Sequence, residues 1–349
     1  MDRISNIMPI DMCAADNAKS KWNSVAKPLG SLGLLEEAIE KIAAVQGTSD
    51  VKINNRYVVI MCGDNGVVCE GVSQSDSSVT AVCAEAIANG TSNINALADI
   101  YNAKVTAVDV GIERDVDRSK LLNRKIANGT ENIAIGPAMT AEQAEMAIAV
   151  GMDIVRDLKN NGADIIVTGE MGIGNTTTSA ALASVLLELS PKEVTGRGAG
   201  LDSKGLERKI SVIERAISVN SPDKNKPVEL LAKLGGYDIA GMTGLFLGGA
   251  YYHIPIIIDG VISAVAALIA FKINPLAKGY MLASHISGEP SGWLILQKLG
   301  LKPLINAEMR LGEGTGGIML LPLLDGALAI YNNAHRFDDI GIERYVELK

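Results

Sequence analysis

Aromatic side chains are scarce in this chain: Phe, Trp and Tyr together make up 4% of its 349 residues. Long basic runs are missing too, and a net charge of −8 is spread with both signs mixed. Without a basic stripe interleaved with stacking aromatics, nucleic acid is not an expected partner. Cysteine is rare, with Cys13, Cys62, Cys69 and Cys83 forming no CxxC pair, and His253, His285 and His335 are scattered. That pattern argues for reduced thiols in a cytoplasmic protein and against a disulfide scaffold or a zinc centre. The N-terminal MDRISNIMPIDMCAAD carries acids and no apolar core, so no signal peptide is expected. The most apolar stretch, 254–271, holds Pro255 and Asp259 and reads as strand, turn and helix; no membrane partner is expected.

What is present is 48% hydrophobic residues and 36 glycines, a composition suited to closely packed parallel α/β layers. The length favours one large domain and a smaller one. The first 50 residues read as helical, with Ser31 placed to cap a helix whose apolar stripe is Leu35, Ile39 and Ile42 and which ends near Gly47. Five short apolar runs follow, at 57–61, 105–110, 164–168, 254–258 and 280–283. Each is apolar on both alternations, as in strands covered on both faces. Between them lie helices such as 140–158, opened by Thr140 with Gln143 at capping-box spacing. The runs end in GDNG (63–66), Asp109 before Gly111, GE (169–170), DG (259–260) and SH (284–285). Open parallel sheets bind ligands at the carboxyl ends of their strands, so these ends suggest one shared pocket.

Three glycine-rich segments carry the chemistry. GEMGIGNTTTSAAL (169–182) follows a strand and opens a helix, where free N–H groups and hydroxyls can hold a phosphate. It nearly fits the nucleotide-triphosphatase loop, but Asn175 stands at the lysine position, and a phosphate monoester fits better. GRGAGLD (196–202) precedes a charged helix, and Arg197, Lys204, Arg208 and Lys209 are candidate cations, although a solvated helix face accounts for most of them. RLGEGTGG (310–317) isolates Glu313 among four glycines. Such a loop can press a carboxylate against a substrate; an acid in the first turn of a helix is the other reading.

Taken in order, KPLGSLGLLE (27–36), GDNGVVCEGVS (63–73), GEMGIGNTT (169–177), GRGAGLD (196–202), DG (259–260), SHISGEP (284–290) and RLGEGTGG (310–317) resemble the nicotinate-nucleotide:dimethylbenzimidazole phosphoribosyltransferases over about 300 residues. The resemblance implies transfer of 5-phosphoribosyl from nicotinate mononucleotide to an aromatic lower-ligand base of cobamides, with inversion at C1′ and release of nicotinate. It implies Glu313 as general base, and Glu170 and Asp259 near the ribose. Gly174, Asn175, Thr176, Thr177 and Lys209 would hold the phosphate, Gly198, Gly200, Arg310 and Gly314 would border the nucleotide, and Ser73, Asn65 and Val82 would line the acceptor pocket. The implied fold is a Rossmann-like parallel α/β core at 51–325, with a smaller helical domain formed by the two chain ends, 1–50 and 326–349. No cofactor or metal is implied, since nicotinate mononucleotide is a substrate. The implied partners are small molecules and a second subunit, in a homodimer or a heterodimer with a paralogue.

Three departures from the family pattern stand out: Asn65 replaces its histidine, Val82 a frequent glutamine, and SHISGEPSG its SHRSAEPGH, with Ile286 and Gly292. The first two reduce the hydrogen bonds available to an imidazole. They raise the expectation that small phenols, including p-cresol, serve as acceptors beside benzimidazoles. A catalytically reduced subunit that completes a paralogue's site is the reading from another functional class.

Overall fold

The run expected at 57–61 forms strand β1, Arg56–Gly63, buried at every position after the first. Its side chains alternate between two cores. Tyr57, Val59 and Met61 enter one, and Val58, Ile60 and Cys62 the other, so the strand is covered on both faces. The other four runs give β2 (Ala103–Gly111), β4 (Ile165–Met171), β5 (Ile256–Ile258) and β6 (Met281–Ala283). A two-residue strand at one edge, β3 (Leu122–Asn123), had no signature in the sequence. All pairings are parallel and the order is β3-β2-β1-β4-β5-β6. The chain winds outward from β1 and returns to start the other half at β4, so the crevice for a ligand lies at the carboxyl ends of β1 and β4. This computed structural model describes residues 2–117 and 119–346.

Glycine sets the spacing of the layers. The helices Ala141–Asn160 and Tyr237–Tyr252 pack along much of their length, and a methyl group on Gly244 would lie 2.0 Å from the Ile148 carbonyl oxygen. The first of these helices begins as expected: Thr140 Oγ1 accepts the Gln143 amide at 3.2 Å, and Gln143 Oε1 accepts the Thr140 amide at 2.9 Å. Ser31, in contrast, caps nothing. The helix spans Leu34–Gln46 with Gly33 as its N-cap, because Gly30 and Gly33 both take left-handed conformations and prolong the preceding turn. Glu36 does the capping from inside, accepting the Leu32 amide at 2.9 Å and pairing with Lys27 at 2.6 Å.

The two chain ends meet. Trp22, in Met12–Ser24, packs on Tyr331, in Leu321–Asn333, with ring centroids 4.8 Å apart, and Val25 bridges to Arg336. They share one hydrophobic core with a face of the sheet, and the 325/326 boundary falls inside the Leu321–Asn333 helix. The stretch 254–271 resolves into β5, a turn at Asp259 and Gly260, and the helix Val261–Ile273. Among the described residues one run, Thr315–Asn333, is apolar and long enough by composition to cross a membrane, and half of it is buried within the fold.

Candidate active site

Strand ends supply the floor of the site. Glu170 lies within the last residues of β4, Asp259 follows β5, and Ser284 and His285 follow β6. A cavity of about 220 Å³ opens over these ends, lined among others by Glu170, Asn175, Thr176, Gly198, Asp259, Ser287, Glu289, Arg310 and Glu313. Asp109, at the end of β2, is not part of it; its Oδ1 accepts the Gly111 and Ile112 amides, which closes its own turn.

On one side stands the start of the helix Asn175–Leu187, entered through Gly174 at φ 93°. Thr176 Oγ1 accepts Lys209 Nζ at 2.8 Å, and the same ammonium donates to the Gly196 carbonyl at 3.3 Å. Burial pushes the Lys209 ammonium down to about 8, opposed by the charge of Glu289. Asn175, at the position of the missing loop lysine, turns inward. Its Nδ2 donates to Glu170 Oε2 and, at 3.0 Å, to Asp238 Oδ2. Burial and the Asp238 charge push Glu170 up to about 8, with Asp259 and Glu313 adding to the rise and Asn175 opposing it. Burial likewise lifts Asp238 to about 7 against the Asn175 hydrogen bond.

On the other side the loop 310–314 carries the second carboxylate. Gly312, Glu313 and Gly314 lie in succession at φ 88°, 58° and 80°, three left-handed residues of which the middle one is not glycine. A non-glycine residue held there is strained, and strain of this kind collects where a side chain must be aimed. Asp259 holds the loop: its Oδ2 accepts the Gly314 amide at 3.1 Å and its Oδ1 the Gly317 amide at 2.8 Å. Gly312 packs so closely on Glu170 that a methyl group there would sit 2.6 Å from Glu170 Oε1. Burial raises the proton affinity of Glu313, opposed by the neighbouring Ile94 amide and Asn93 side chain, while the Asp259 charge adds to the rise. Glu313 Oε2 is buried and has no hydrogen-bond partner among the described residues. Glu313 thus lines the cavity with one unpartnered oxygen, opposite a cation and a helix start.

Glu170, Asn175, Thr176, Gly198, Asp259, Arg310 and Glu313, all singled out from the sequence, line this one cavity. Lys209, fully buried, reaches it from behind Thr176. Gly200 borders an adjoining cleft with Arg197 and Arg310, and Ser73 lines a smaller one beside Gly174 and Thr176. Four of the expected residues do not line this cavity. Thr177 points into the helix packing, fully buried, and its hydroxyl has no partner among the described residues. Gly314 contributes its amide to Asp259 instead of lining the cavity. Asn65 is an internal tie beneath the glycine loop: Nδ2 donates to the Gly63 carbonyl at 3.4 Å and Oδ1 accepts Thr178 Oγ1 at 3.3 Å. Val82 is 54% exposed, on the side of the helix Ser78–Asn89 away from its buried residues, and lies outside the cavity.

Asp238, Asn93, Ile94 and Glu289 were not singled out. The first three open helices, at Tyr237–Tyr252 and Asn93–Ile100, and only the sheet order brings those helix starts to the strand ends. Glu289 had a signal, because SHISGEP is one of the family-like segments.

A phosphoribosyltransferase family model matches residues 7–342. The chain is 44% identical over 348 residues to a nicotinate-nucleotide–dimethylbenzimidazole phosphoribosyltransferase of Ruminiclostridium cellulolyticum, covering 100% of this chain and 99% of that protein. It is 41% identical over 346 residues to the protein of that name from Clostridium acetobutylicum, covering 99% and 98%. Among solved structures, CobT from Thermus thermophilus superposes with a TM-score of 0.90 at 36% identity, covering 95% of this chain and 99% of that one.

Proposed function

The chain belongs to this phosphoribosyltransferase family, and we propose that it moves the 5-phosphoribosyl group of nicotinate mononucleotide to 5,6-dimethylbenzimidazole, giving the α-ribotide and free nicotinate. The observation that carries this reading is Glu313, a buried carboxylate with an unpartnered oxygen, lining the same cavity as Thr176, whose hydroxyl Lys209 holds. The nucleotide's phosphate is read at Thr176, Lys209 and the Gly198 loop, where cation, hydroxyl and amide converge. With the phosphate anchored there, this reading sets C1′ over the carboxylates. A lone pair on one acceptor nitrogen forms the bond to C1′, and the bond to the pyridinium nitrogen breaks with its electron pair, leaving neutral nicotinate ring nitrogen. Glu313 takes the proton from the acceptor's second nitrogen. A carboxylate taken out of water is a stronger base than one in it, which is the direction of the Glu313 shift.

Positive charge builds at C1′ as the pyridinium leaves. Glu170 faces that charge in a site with little competing solvent, and the arriving cation favours its ionised form. Asp259 serves as a positioning residue, both its oxygens being spent on the amides of the Glu313 loop. No described group of three or more His, Cys, Asp or Glu side chains is arranged to hold a metal ion. The reading uses neither metal nor cofactor, because the nucleotide carries its own leaving group.

The case for phenols rested on Asn65 and Val82, and neither side chain lies in the cavity, so benzimidazole is the acceptor proposed. We also propose a dimer. Leu311, which lines the cavity two residues from Glu313, is 56% exposed and leaves apolar surface at the site, and Val82 is a second exposed apolar side chain. Incubation of the purified protein with nicotinate mononucleotide and 5,6-dimethylbenzimidazole, followed by mass analysis, tests the function. Ribotide and nicotinate in equal amounts are expected; hydrolysis alone, or no reaction, refutes it.

A further inference from the structure

The turn after β6 carries a carboxylate into the anion-binding corner of the cavity. Glu289 Oε1 accepts the Gly198 amide at 3.1 Å. Its Oε2 lies so close to Gly196 that a methyl group on that residue would come within 1.8 Å of it. Lys209, donating to Thr176 Oγ1 and to the Gly196 carbonyl, feels Glu289 as the charge that raises its proton affinity against burial. An amide, a hydroxyl and an ammonium converging at a helix start are donors suited to a phosphate. In this structure the anion beside them is Glu289. A phosphate dianion and an ionised carboxylate cannot share these donors without like-charge repulsion, which is strong where solvent is sparse.

We infer that Glu289 is a placeholder anion: in the free enzyme its carboxylate holds the Gly198 amide, beside the Thr176 hydroxyl and the Lys209 ammonium, and yields that amide to a ligand that brings a phosphate. The inference rests on the phosphoribosyl reading above. A nucleoside brings no charge to compete with the carboxylate, so its use does not depend on Glu289. The displacement is one of the side chain alone. The backbone is tied in place, with the Gly288 amide on the Met309 carbonyl at 2.9 Å and the Glu289 amide on Ser287 Oγ at 3.3 Å. Arg310 lines the same cleft as Glu289 and offers the displaced carboxylate a new partner.

Calorimetric titration with inorganic phosphate, and KM for nicotinate mononucleotide and for nicotinate riboside, are compared in the parent, Glu289→Gln and Glu289→Ala, each checked by thermal melt. With the placeholder charge gone, phosphate should bind about tenfold tighter or better in both variants. KM for the mononucleotide should fall, and riboside use should stay as in the parent. Phosphate binding that is unchanged or weaker in a folded variant overturns the inference, and assigns Glu289 to holding the Gly198 loop. A parent enzyme that makes no ribotide would instead sink the functional reading, while the phosphate titration would still report on Glu289.

Discussion

At the scale of single residues, the site sets its carboxylates apart by what each one touches. Glu313 has one oxygen without a partner, Glu170 shares the Asn175 amide with Asp238, and Asp259 is saturated by backbone. Replacing Glu313 with Gln keeps the shape and removes the base, so turnover should fall about 10²-fold or more while nucleotide binding persists; steady-state kinetics beside equilibrium binding would show it, and near-normal turnover would move the role to Glu170. Lys209→Ala should raise KM for nicotinate mononucleotide roughly ten- to a hundredfold, the worth of a charge-assisted hydrogen bond, with little change for the acceptor. Equal changes for both substrates would make Lys209 a structural residue. Glu170 also gives a pH signature. Its affinity for the proton is raised on folding, from 4.5 to about 8, so its contribution to stability is full below pH 4.5 and is lost as pH rises through about 8. Glu170→Gln should therefore become steadily more stable relative to the parent across that window, by at most about 1.4 kcal/mol per pH unit. Denaturant melts at pH 5 and pH 9 measure the difference, and a constant offset would contradict the burial argument.

Among the elements, the loop 312–314 makes the sharpest prediction. Gly312→Ala puts a methyl group against Glu170 in a left-handed backbone, at a cost of roughly 1–2 kcal/mol. Displacement of Glu313 by about an ångström can cost about 10²-fold in turnover. A folded variant with ordinary turnover would show that the loop tolerates other shapes. How far such elements were legible follows from which interactions are local. The strand runs and the Thr140–Gln143 cap were readable, since a strand buried on both faces and a capping box are written within a few residues. Glu313 was readable because its glycines are its neighbours. Asn65 was not, because its partners Gly63 and Thr178 belong to two elements that only the sheet brings together. Ser31 misled because a serine before an apolar stripe looks like a cap, and the left-handed Gly33 that moved the start is visible only in the backbone. Lys209 did carry a trace: it shares the buried face of Ser203–Asn220 with Gly205, Val212, Ile213 and Ala216, at helical spacing. Two-residue β3 is too short for any period.

For the molecule as a whole, exposed Leu311 and Val82 lead to an assembly prediction. Light scattering should report twice the chain mass, and Leu311→Asp should shift the protein toward single chains and lower turnover together; a parent that is monomeric at assay concentration would refute the proposed dimer. A different consequence comes from the joining of the two chain ends. Arg336 Nη1 donates to the Lys21 carbonyl across 315 positions of sequence, and Trp22 has Tyr331 as its ring partner. A ribosome adding about 5–20 residues per second delivers the second partner roughly 15–60 s after the first. Throughout that interval Trp22 can meet the helix Leu34–Gln46 but not Tyr331, so the cluster around Trp22 is completed long after its first half is made.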